Sequence, residues 1–219
     1  ARQRAPAVGS AGPFSAGQSP RRRGLVLQAP RGRVGAEHRM RGDEREVELA
    51  IVLLLEPLAK GEQPTARVIA KQIAYNCVPQ IDVFLDNGYT KEEMKMFWET
   101  QKIMEDPSIR VNATAVRVGV YVGHSEAVHI ETRRKLTETQ AREILGRAPG
   151  VVVMDERKPG GYPTAVTEGA GTDPVYVGRI REDISHERGL NLWIVSDNVR
   201  KGAALNSVQI AEILVKDYL

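Results

Sequence analysis

Residues 110–132, RVNATAVRVGVYVGHSEAVHIET, set the tightest limit on what this chain can fold into. Val116, Val118, Val120 and Val122 alternate with Arg117, Gly119 and Tyr121, a period of two that suits a strand and not a helix. The alternation predicts a β-region with the valines on one face and Arg117 on the other. Thr90 with Glu93, and Thr137 with Gln140, have the spacing of capping boxes and predict helices over 90–105 and 137–147. Short apolar runs at 151–154, 175–181 and 190–195 read as strands, the first of them buried, and 157–173 as a Gly/Pro-rich loop. Residues 199–219 read as a closing helix. Pro79 confines 73–85 to a short strand and an irregular turn. Strands and helices without regular βαβ alternation predict an α+β domain.

The N-terminal texture is different. Residues 1–46 carry ten arginines, no lysine and four acidic residues, a charge of +6, while the rest of the chain sums to −3. The pI of 9.0 therefore belongs to this Arg/Gly/Ala/Pro-rich stretch. It has too little apolar surface to offset chain entropy, so it is expected to be disordered or non-native, with the folded domain over 47–219. The body gives no electrostatic sign of nucleic-acid binding. Residues 46–60 predict a helix closed by Gly61. There is no run of about 18 uncharged apolar residues for a membrane span. No apolar core follows the early arginines, so no secretory leader is expected. A single cysteine excludes an internal disulfide framework and fits a reducing, cytoplasmic setting.

Four features could carry chemistry. Arg117 presents a guanidinium fork suited to a carboxylate, and His124, re-aimed by Gly123, can exchange protons near neutrality. Glu92 and Lys95 lie three apart on one helix face. Asp197 or Asn198 can cap the last helix, where Gly202, Ala203 and Ala204 form a small-residue face and Ile210, Ile213 and Leu214 suggest a packed stripe. Cys77, with no basic neighbour, reads as a buried structural thiol. By spacing alone, a surface arginine, a hydrogen-bonded turn histidine and a solvated ion pair account for the same residues. No metal-ligand spacing and no GxGxxG or GxxGxxG loop occurs.

The stretches IAYNCVPQIDVFLDNGYTKEEMKMFWETQKIM, VNATAVRVGVYVGHSEAVHIE, VYVGRIRED and GLNLWIVSDNVRKGAALNSVQIAEIL, in that order, resemble the aspartate-semialdehyde dehydrogenase family over about residues 66–219. The resemblance implies a glyceraldehyde-3-phosphate-dehydrogenase-like C-terminal domain: α+β, with a mixed, mostly antiparallel sheet and helices on one face. The other face of the sheet would contribute to a homodimer. Family members reduce aspartyl phosphate to aspartate semialdehyde with NADPH, through a covalent thioester, on the path to lysine, methionine and threonine. By the resemblance, Arg117 would grip the substrate carboxylate, Glu92 the amino group and Lys95 the phosphate. His124 would be the acid/base, and Asn198 would lie near the nicotinamide of NADP. The family's nucleophilic cysteine and the glutamine after it lie upstream of these segments. Neither motif is present, nor is the cofactor domain, so the chain is expected to be a fragment inactive by itself. A non-enzymatic, dimer-forming domain with a basic interaction tail is the alternative. An N-acetyl-glutamyl-phosphate type of reductase is disfavoured by the HSEA context and the KEEMK spacing.

Overall fold

The computed structural model of the chain describes residues 59–62 and 69–219. Residues 1–46, and the helix expected over 46–60 except for its last two residues, lie outside the described residues. Two short strands open the described body: β1 (Cys77–Val78) pairs antiparallel with β2 (Arg117–Val118). Between them runs helix α1 (Lys91–Ile103). Its capping box is formed as the sequence predicts: the Thr90 side chain accepts the Glu93 N–H, and the Glu93 carboxylate accepts the Thr90 N–H at 2.8 Å.

A four-stranded sheet follows, in the order β3-β6-β5-β4, from β3 (His124–Glu131), β4 (Val151–Val153), β5 (Val175–Glu182) and β6 (Gly189–Ser196). Only the β4–β5 pair is parallel, so the sheet is mixed and mostly antiparallel. Helix α2 (Glu138–Arg147) starts at the second expected capping box and packs on one face of it. Leu190, Leu192 and Ile194 of β6, two apart, turn to that face and meet Val177, Ile180, Ala141 and Leu145. Leu190 is fully buried, a contribution of roughly 1.5–3 kcal/mol.

Strict alternation along VYVGRIRE would send Arg179 into this core. A bulge between Gly178 and Arg181, with Arg179 at φ 52°, adds one residue and returns Ile180 to the inside. The bulge is clamped from α2 and the β4 exit. Asp155 accepts the Ile180 N–H at 3.2 Å, Arg142 donates to the Ile180 carbonyl at 2.9 Å, and the two side chains pair at 2.7 Å.

Five expectations are corrected. The valine-lined region at 110–132 is not one β-segment: after Arg117–Val118 the chain makes a tight turn, with Val120 N–H bonded to the Val118 carbonyl, and restarts at His124. Val116 and Val118 are exposed, because β2 pairs only with the two-residue β1 and no described element covers that face. The expected helix at 199–219 begins instead as a π-helical turn (Arg200–Ala204), in which the Val199 carbonyl accepts the Ala204 N–H, before helix α3 (Leu205–Tyr218). Ile210, Ile213 and Leu214 are about half exposed on α3, so the stripe is present but unpacked. Cys77 is exposed as well: Val78 takes the inward position on β1. The 151–154 strand is also less covered than expected, with Val152 exposed.

Candidate active site

Glu92 and Lys95 occupy the first turn and a half of α1, where their carboxylate and ammonium meet at 3.0 Å. That hydrogen bond, and then the charge of Glu92, raise the Lys95 amine above its ordinary range, with smaller contributions from Glu99 and Asp82. Both side chains remain more than a third exposed, so the pair is worth at most about 1 kcal/mol and separates cheaply for a ligand.

Between them sits Glu93, whose spacing from Thr90 marks it only as a cap. Besides closing the capping box, its second carboxylate oxygen accepts the Ala115 N–H at 2.9 Å. Backbone hydrogen bonds from Thr90 and then Ala115 hold this carboxyl below its ordinary range, against the opposing effect of burial. Glu93 therefore ties the helix carrying Glu92 and Lys95 to the chain two residues before Arg117. The S/T-x-x-E spacing gave the first bond; nothing local could give the second.

Arg117 pairs through its backbone with Val78, and its half-buried guanidinium makes no hydrogen bond or ion pair with any described residue. A guanidinium without an anion next to it is open to a carboxylate ligand.

His124 opens β3 opposite Ser196 at the end of β6. Gly123 before it stands at φ 99°, and a Cβ there would lie 3.0 Å from that of Ala165, so both the conformation and the space call for glycine. Two residues past Ser196, the Asn198 side chain accepts the Gly123 N–H at 2.9 Å. Tertiary structure thus joins His124 and Asn198, 74 residues apart in sequence, through one glycine. No hydrogen bond or ion pair among the described residues links this pair directly to Glu92, Lys95 or Arg117. The cap expected of Asp197 or Asn198 falls to Asp197, whose Oδ1 accepts the Val199 and Arg200 N–H groups.

Elsewhere, a cavity of about 290 Å³ is lined by Ala127, Tyr162, Thr164, Arg179, Arg181, Leu192 and Trp193; Trp193 and its strand partner Ala127 alternate with Leu192 and so belong to the sheet face away from α2. None of the five candidate residues lines it. Among the described residues no group of three His, Cys, Asp or Glu side chains is placed to hold a metal ion, and no helix is long and apolar enough to cross a membrane.

The family model for the semialdehyde dehydrogenase dimerisation domain matches residues 34–201. The chain belongs to that family. It is 60% identical over 161 residues to the aspartate-semialdehyde dehydrogenase of Shewanella violacea, covering 74% of this chain and 47% of that protein. The enzyme of the same name from Legionella pneumophila is 58% identical over 169 residues, covering 77% and 49%. Among solved structures, aspartate semialdehyde dehydrogenase II from Vibrio cholerae, complexed with ASA, superposes with a TM-score of 0.75 at 52% identity, over 78% of this chain and 50% of that one. The chain spans about half the length of the curated relatives it matches. The α+β architecture expected for this family's C-terminal domain is the one observed.

Proposed function

We propose that this chain supplies the substrate-binding and proton-transfer half of an aspartate-semialdehyde dehydrogenase that reduces aspartyl phosphate to aspartate semialdehyde and phosphate with NADPH. The observation that carries this reading is the set of ionic groups held by α1 and β2. Arg117, a cation that pairs with no described residue, lies two residues past Ala115, through which Glu93 ties this segment to a loosely paired anion and cation, Glu92 and Lys95. The substrate offers the complementary set. Its carboxylate suits the Arg117 fork, its ammonium suits Glu92, and its phosphate suits Lys95 once the exposed ion pair opens.

His124 takes and returns the proton at the carbonyl oxygen of the reacting carbon, as an exposed imidazole on a fixed backbone can. The Asn198 amide nitrogen makes no hydrogen bond to a described residue and is suited to the carboxamide of a nicotinamide ring. Bound NADPH would supply the hydride. The attacking thiol belongs to the half of the relatives that this chain does not span. Two copies would associate through the sheet face bearing Ala127 and Trp193, and the setting would be cytoplasmic.

The test combines this chain with the upstream half of the Shewanella violacea relative, aspartate semialdehyde, phosphate and NADP⁺, and follows NADPH absorbance. Turnover requires both halves, and His124→Ala lowers it by about 10²–10⁴-fold. An undiminished rate in that variant would sink the assignment.

A further inference from the structure

Asp197, at the end of β6, is only 3% exposed and makes no ion pair with any described residue. Both of its carboxylate oxygens are nevertheless in use. Oδ1 accepts the N–H groups of Val199 and Arg200, each at 2.8 Å, and Oδ2 accepts the N–H of Gly171 at 2.7 Å. One buried carboxylate therefore fastens two separate segments.

The first segment carries Asn198, held between Asp197 and the bonded Val199, so its side chain is aimed from a fixed backbone at the Gly123 N–H. The second is the exit of a π-helical turn (Ala165–Gly169), closed by Ala170 N–H on the Ala165 carbonyl at 2.8 Å. Ala165 is the residue against which Gly123 packs. The backbone entering His124 is thus supported from two sides, by an amide oxygen and by a packed Cβ, and Asp197 is bonded to the segments that carry both.

We propose that Asp197 is a positioning residue, setting the orientation of His124 and Asn198 by locking the two segments that hold Gly123. Its bearing on catalysis rests on the role given to His124 above; its effect on Gly123 does not. In Asp197→Asn an amide N–H₂ must face backbone N–H donors at one or other oxygen position, which leaves at least one of these groups unsatisfied.

Amide hydrogen exchange on the full chain reads the result directly. The Gly123 amide of Asp197→Asn exchanges at least about tenfold faster, while Leu190 and Leu192 in the sheet keep their protection. Asn198→Ala frees the Gly123 amide to a similar extent, and the double variant adds little beyond either, as expected of one chain of contacts. Should Asp197→Asn fail to fold, Asp197→Ser keeps a helix-capping oxygen, gives up the second acceptor that reaches Gly171, and is expected to free Gly123 as well. Unchanged Gly123 exchange, a uniform loss of protection across the sheet, or additive effects of the two substitutions would each overturn the proposal. An undiminished rate in His124→Ala would instead count against the reading of the site, since exchange at Gly123 does not depend on turnover.

Discussion

The Glu93 carboxylate accepts backbone N–H groups from its own helix cap and from Ala115, and these bonds lower its pKa from the usual 4.5. A carboxyl whose folded pKa is depressed adds stability that is fully present above the unfolded value and lost as pH falls through the folded one. Glu93→Ala removes the partner of two buried N–H groups, those of Thr90 and Ala115, and is expected to cost roughly 1–3 kcal/mol at neutral pH. Thermal melts of the two proteins should differ most near pH 7 and converge as pH falls well below 4.5. A difference that stays constant down the titration would show that the charge of Glu93 contributes nothing. Its neighbours Glu92 and Lys95 differ energetically: partly exposed and paired only with each other at 3.0 Å, they add little to the fold.

The two capping boxes were legible from four residues, because a cap is a local bargain between a side chain and the N–H groups three positions on. Thr137→Ala should therefore lower stability by about 1 kcal/mol, read as a shift in denaturant midpoint with unchanged slope; a change within error would mean that α2 is held by its core contacts alone. Strand extents were less legible. Val116, Val118, Val120 and Val122 have strand periodicity, yet a strand persists only where a partner offers its hydrogen bonds, and β1 offers two residues. The turn at Val118–Val120 and the positive φ of Gly123 then separate Arg117 from the sheet that His124 enters. The α3 stripe makes the same point: periodicity marks which face is apolar, and Ile210, Ile213 and Leu214 remain about half exposed because no described element packs over them.

At the scale of the molecule, the sheet has α2 on one face, while the cavity of Arg179, Arg181 and Trp193 opens on the other. If that second face joins two copies, Ala127→Arg, on exposed β3, should shift the chain from dimer to monomer in sedimentation experiments without lowering its melting temperature by more than a degree or two; an unchanged dimer would move the interface elsewhere. The sequence by itself determined what nearest neighbours decide: the capped starts of α1 and α2, the α+β class, and an arginine fork of a kind that suits a carboxylate. The resemblance of its motifs fixed the family, which residues 34–201 bear out. Only the tertiary structure decided that Glu93 reaches Ala115, that Asn198 reaches Gly123, that β5 bulges to keep Ile180 inside, and that Cys77 is exposed. Those contacts join residues far apart in the chain, and a hydrogen bond between such residues depends on where whole segments come to rest, which no local pattern encodes.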